Sequence, residues 1–194
     1  VDSTRSNKTI PAENFKRDNV DVAIRFGKGD YPGCRVDKLF PVDAIPLCSP
    51  RLLEGQHPLT RPEDLRHYTL LHDDTPYEGR PDWATWLRAA GVRDLDSSHG
   101  VRFNHGSLAL TAAVEGQGVV LSIKALASED IAAGRLVIPF NLPLPLEYAY
   151  YLITLKEVTD DPRTAAFREW LMHEATREAL SNRDNAGDLP AEAV

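Results

Sequence analysis

The chain has 194 residues, 42% of them hydrophobic and 26% charged, with a formal net charge of −7. That length holds one large α/β domain or two small lobes with real cores, and the composition is that of an ordinary soluble globular protein. No run of 18 apolar residues exists to span a membrane, the opening VDSTRSNKTI has no apolar signal core, and the negative balance disfavours contact with a nucleic-acid backbone by this segment. Two cysteines without partner spacing, Cys34 and Cys48, fit a reduced, cytoplasmic protein.

In chain order, VDVAIRF (20–26) reads as an apolar strand and GKGDYPG (27–33) as a glycine-rich loop after it. The loop matches neither a Walker loop nor a dinucleotide fingerprint, because no capped helix follows, and Pro32-Gly33 favours a turn. KLFPVDAIPLCSP (38–50) is extended but broken by Pro41 and Pro46, too irregular for a central strand. Ser49-Pro50 looks like a helix cap, RPEDLRHY like a brief helix and TLLHD (69–73) like a short strand.

DWATWLRAAG is the clearest helix: Asp82 can cap it, Trp83, Trp86, Leu87 and Ala90 share one face, and Gly91 supplies the stop. HGVRFN (99–104) is a strand, and Ser107 is placed to cap LALTAAVEG, whose Ala109, Ala112 and Ala113 permit close approach to a sheet. GVVLSI (118–123) is a strand, KALASEDIAAG a helix, RLVIPF (135–140) a strand and YAYYLITL (148–155) another. Asp161-Pro162 opens a last helix with Phe167, Trp170, Leu171 and Ala175 inward, and 177–194 reads as a disordered tail. Strands alternating with helices give an α/β fold with mostly parallel sheets. The proline-broken passages near 41–46 and 139–145 suggest two crossover strands joining two lobes, one of 1–44 plus 147–176 and one of 45–146, with a single continuous sheet as the alternative.

Several stretches in order, DVAIRFGKGDYPG, PLCSPRLL, PEDLRHYTLLHD, WATWLRAAGV, AAVEGQGVVLS, IAAGRLVIPF and YYLITLKEVTDDPRTAAFREWL, resemble the effector-binding domain of LysR-type transcriptional regulators. The subgroup they resemble is that of the glycine-cleavage-system activator and the β-lactamase-inducing regulator. The resemblance covers about 1–176. It implies a two-lobed type II periplasmic-binding-protein-like fold with an effector cleft between the lobes, side-by-side homodimers and tetramers of the full-length protein. It implies DNA contact only through an N-terminal winged helix-turn-helix. That element, a linker helix, and one strand and helix of the family pattern have no counterpart here.

Arg25 interrupts an apolar strand at its carboxyl end, where ligands of α/β sheets gather, and could fork onto a carboxylate; a structural ion pair is the plain alternative. Phe26 adjoins it. Ser107, with Asn104 and His105, stands at a helix N-terminus suited to an anion. Tyr150 lies in the return strand, either reaching a ligand or packing in a core. By resemblance, Ser122 and Thr4 occupy places where family members contact effectors. No catalytic set emerges: HGSLA lacks the second glycine of a nucleophile elbow, HDD (72–74) is a strand end, and no histidine pair has metal-ligand spacing. The expected function is a small-molecule sensor, binding an acidic effector without cofactor or metal; a free solute-binding protein or an α/β enzyme is the alternative.

Overall fold

The computed structural model describes residues 20–76 and 79–184. They form two compact units, unit 1 comprising the residues up to Pro41 and from Tyr148, and unit 2 comprising Val42–Glu147.

Unit 1 is built on β1 (Val22–Gly27), the first part of β2 (Cys34–Leu47) and most of β6 (Leu144–Leu155), with β6 between the other two. β1 and β6 run antiparallel, Arg25 opposite Tyr151 and Phe26 opposite Tyr150. One face buries Cys34, Ile153 and Leu155 against Ala23, Tyr31, Val36 and Tyr151. The loop after β1 folds back over this face: Gly29 has φ 88° and lies so near Tyr151 that a Cβ would sit 2.8 Å from its ring. The loop is a turn packed on an aromatic side chain.

The long helix α4 (Pro162–Asp184) starts as its sequence predicts, with the Asp161 carboxylate accepting from the Arg163 amide at 2.9 Å. Its inward stripe keeps Leu171 and Ala175 of the expected four but not Phe167 and Trp170. Thr164 and Ala175 are buried, Leu171 is half-buried, and Arg168 reaches Asp37 of β2 through two 2.7 Å bonds. Positions 164, 168, 171 and 175 follow the helical repeat, which leaves Phe167 and Trp170 beside the seam, 39% and 56% exposed, their rings tilted against one another at 5.8 Å. The helix also continues through Asp184, so 177–184 are helical and not the start of a disordered tail.

Unit 2 has the strand order β2-β5-β3-β4, with β3 at Leu70–Asp73, β4 at Val101–Phe103 and β5 at Val119–Ile123. β3 pairs parallel with β4 and β5, whereas β2 pairs antiparallel with β5, so the parallel character resides in β3, β4 and β5. β2 is a regular strand despite Pro41 and Pro46, which a strand tolerates where the missing N–H is not asked to donate. Alternation along the strands splits two cores. Leu70, Val119 and Leu121 pack with Trp83, Trp86 and Leu87 of α1 (Trp83–Ala89). Leu71 and Val120 pack with Ala109, Ala112 and Ala113 of α2 (Gly106–Val114) on the opposite face.

Local signals explain most boundaries. Asp82 caps α1 by accepting from the Thr85 amide at 2.8 Å, and Gly91 ends it at φ 80°. Pro50–Leu52, Pro62–His67 and Lys124–Ala127 form 3-10 turns, and α3 (Ser128–Ala132) keeps only the second half of the helix expected from KALASEDIAAG. RLVIPF is no strand: Val137 alone bridges to Cys48, exchanging bonds of 3.1 and 2.8 Å.

Candidate functional site

The parallel strands of unit 2 place Asp73, Phe103 and Ile123 at one end, the carboxyl end where α/β sheets present ligand-binding groups. Three of the expected residues gather there. Asn104 follows β4 and is exposed, Ser107 is exposed in the first turn of α2, and Ser122 is buried near the end of β5 in register with Ile45. Ser107 is not the helix cap, because the helix begins two residues sooner than its pattern suggests. His105 holds that position, and its side chain makes no capping bond.

The capping arrangement leaves Ser107 available. The Gly106 amide donates to Thr75 Oγ1 at 3.2 Å, and Thr75 in turn bonds the Asp73 carboxylate. The Leu108 and Ala109 amides both point to the His105 carbonyl, at 3.0 and 3.4 Å. Among the described residues, the Ser107 amide and hydroxyl are therefore the first-turn donors without a protein acceptor, at the positive end of a nine-residue helix.

In unit 1, Phe26 and Tyr150 face each other across β1 and β6 with ring centroids 5.3 Å apart. Phe40 stands 5.2 Å from Tyr150, Tyr148 stacks on Phe26 at 5.4 Å, and the Lys28 ammonium lies 5.4 Å from the Tyr148 ring. Half-burial among these rings pushes the Tyr150 phenol above its ordinary value, so it is a neutral donor at neutral pH. Neither Phe40, Tyr148 nor Lys28 stood out in the sequence, although an apolar strand rich in tyrosine opposite Phe26 carries the signal in retrospect.

Arg25 does not join that group. As the neighbour of Phe26 in a strand it projects to the opposite face, beside Tyr151, where its charge acts on the Tyr31 phenol. Burial raises Tyr31 and Arg25 partly offsets it. Thr4 lies outside the described residues. Among the described residues, no three His, Cys, Asp or Glu side chains gather as a metal ion would need.

The family model described as LysR substrate binding domain matches residues 5–176. The glycine cleavage system transcriptional activator of Escherichia coli (strain K12) is 44% identical over 166 residues, 86% of this chain and 53% of that protein. Its homolog from Haemophilus influenzae is 34% identical over 168 residues, 86% of this chain and 54% of that one. The chain thus spans about half the length of these curated relatives. The effector domain of the transcriptional regulator AmpR of Pseudomonas aeruginosa superposes with a TM-score of 0.68 at 29% identity, covering 87% of this chain and 78% of that one.

Proposed function

Because the chain belongs to the LysR substrate-binding-domain family, we propose that it serves as the effector-sensing part of a bacterial LysR-type transcriptional regulator, taking a small anionic effector. The observation that carries the reading is the Ser107 amide and hydroxyl, both without an acceptor among the described residues, at the start of α2 and beside Asn104 at the carboxyl ends of parallel strands. An anion there gains charge-assisted bonds from two adjacent donors and from the helix dipole. Ser122 supplies a further hydroxyl on the same strand ends, and Phe26 and Tyr150 supply the aromatic contact and the phenol of unit 1. Thr4 is included by family resemblance alone. Arg25, directed to the other face of its strand, is left out.

Signalling requires that the effector bind one conformation more tightly than another, whatever its absolute affinity. In the proposed whole protein, effector domains pair as dimers, full-length subunits assemble as tetramers in the cytoplasm, and a helix-turn-helix contributed by another part of the protein holds DNA. Among the described residues no helix is long and apolar enough to cross a membrane.

The test begins with a thermal-shift screen of small carboxylates to find an effector for the natural protein, followed by titration calorimetry. Ser107→Ala is a clean probe because Ser107 makes no cap, and its removal lowers affinity by about tenfold, the worth of a charge-assisted bond. Tyr150→Phe removes only a hydroxyl and lowers affinity severalfold. Unchanged affinity in both variants sinks the site.

A further inference from the structure

A cavity of about 280 Å³ opens on the α1 side of the unit 2 sheet, the face opposite α2. Its lining carries both signs of charge, from Arg80 and Arg102 and from Asp73, Asp74 and Asp82, with Asp73 engaged by Thr75. Asp74 and Arg102 satisfy each other: Arg102 Nη1 stands 3.0 Å from both carboxylate oxygens, and its Nη2 donates to the Ser98 carbonyl at 3.3 Å.

Arg80 and Asp82 are not paired with each other. Arg80 Nη1 donates to the Thr75 carbonyl at 3.2 Å, and its Nη2 comes only to 4.0 Å from Asp74, beyond hydrogen-bond reach, which leaves donors of the guanidinium for a ligand. Asp82 uses Oδ1 on the Thr85 amide, which leaves Oδ2 without a protein donor among the described residues. The two residues flank buried Pro81, and both line the cavity. A guanidinium and a carboxylate, both exposed and each with hydrogen-bonding capacity left over, thus line one small cavity together with Trp83.

We infer that this cavity binds a small zwitterion, a molecule of the α-amino-acid class, with its carboxylate on Arg80 and its ammonium on Asp82 Oδ2. With Asp74 and Arg102 paired, a simple anion on Arg80 would lie beside the Asp82 carboxylate, and a simple cation on Asp82 would lie beside the Arg80 guanidinium. Only a ligand carrying both charges complements the lining. Arg80 and Asp82 are distinct from the Asn104, Ser107 and Ser122 of the effector reading, although Asp73 in the cavity wall is linked through Thr75 to the Gly106 amide.

The three tryptophans give a local readout, since Trp83 lines the cavity while Trp170 lies on unit 1. Indole and amide resonances of the 194-residue chain are followed in ¹H–¹⁵N spectra during titration with L-alanine, and separately with acetate and with methylammonium at matched ionic strength. The Trp83 indole and Ala84 amide move saturably with alanine, with a midpoint on the order of 1 mM, while Trp170 stays in place. Arg80→Gln, which leaves the Arg102–Asp74 pair intact, and Asp82→Asn, which keeps a capping oxygen, each weaken the response by about tenfold with unchanged peak dispersion elsewhere. Tyr150→Phe leaves it as it was. The inference fails if alanine gives no saturable response in the millimolar range, if acetate or methylammonium alone reproduces it at the same midpoint, or if it persists in both charge variants.

Discussion

The bond pair from Arg168 to Asp37 shows what one side chain contributes to unit 1. Asp37 also accepts from Arg35 Nε at 3.2 Å, and the Arg168 guanidinium, largely sheltered, holds the Asp37 carboxyl below the usual carboxylate range. A carboxylate with a lowered folded pKa contributes stability that is complete above its unfolded value of about 3.9 and fades as pH falls through the lower folded value. Asp37→Asn accordingly loses about 2 kcal/mol at pH 7, the scale of a hydrogen bond to a charged group. In urea unfolding the gap between natural protein and variant narrows below about pH 4; a gap that widens with acid contradicts the assignment. Cys48 behaves in the opposite way. Its thiol is buried and pushed up to about 12, so it stays protonated at neutral pH.

Among the elements, α1 and α4 each carry tryptophan, yet the two helices use it differently. Trp86 is 1% exposed, donates its indole N–H to the Leu142 carbonyl at 2.9 Å and packs on Phe140, whereas Trp170 is mostly in solvent. Trp86→Ala should cost about 4 kcal/mol of stability, while Trp170→Gln should change it by no more than about 0.5 kcal/mol. Denaturant midpoints of the two variants check this, and a large loss at Trp170 would contradict the exposed face. The contrast also marks where the sequence was readable. Around α1, cap, spacing and glycine stop agree, and the helix lies where the residues put it. In α4 the aromatics suggested the seam, but the seam follows Thr164, Arg168 and Ala175, because an arginine can turn inward once a distant aspartate receives it. β2 was underestimated for a similar reason: its prolines argue locally against a strand, and the partner that overrides them is far along the chain. At the site, alternation guaranteed that Arg25 and Phe26 part to opposite faces. Which of them meets Tyr150 was set by the register with β6, a long-range property.

On the scale of the molecule, unit 2 is one uninterrupted stretch, Val42–Glu147, whereas unit 1 is assembled from chain on both sides of it. That arrangement imposes an order in time. A chain emerging from the ribosome exposes all of unit 2 before the residues from Tyr148 that β1 requires as its partner. Even in refolding from denaturant, joining β1 to β6 closes a loop spanning the whole of unit 2, at an entropic cost that shrinks once the intervening chain is compact. Amides of β3 and β5 should therefore gain protection in pulse-labelled hydrogen exchange before those of β1 and β6; the reverse order would contradict nucleation within the insert. Each newly made molecule thus passes through an interval in which β1 has no strand partner in β6, and the apolar side chains of β1 are then open to a chaperone or to another nascent chain.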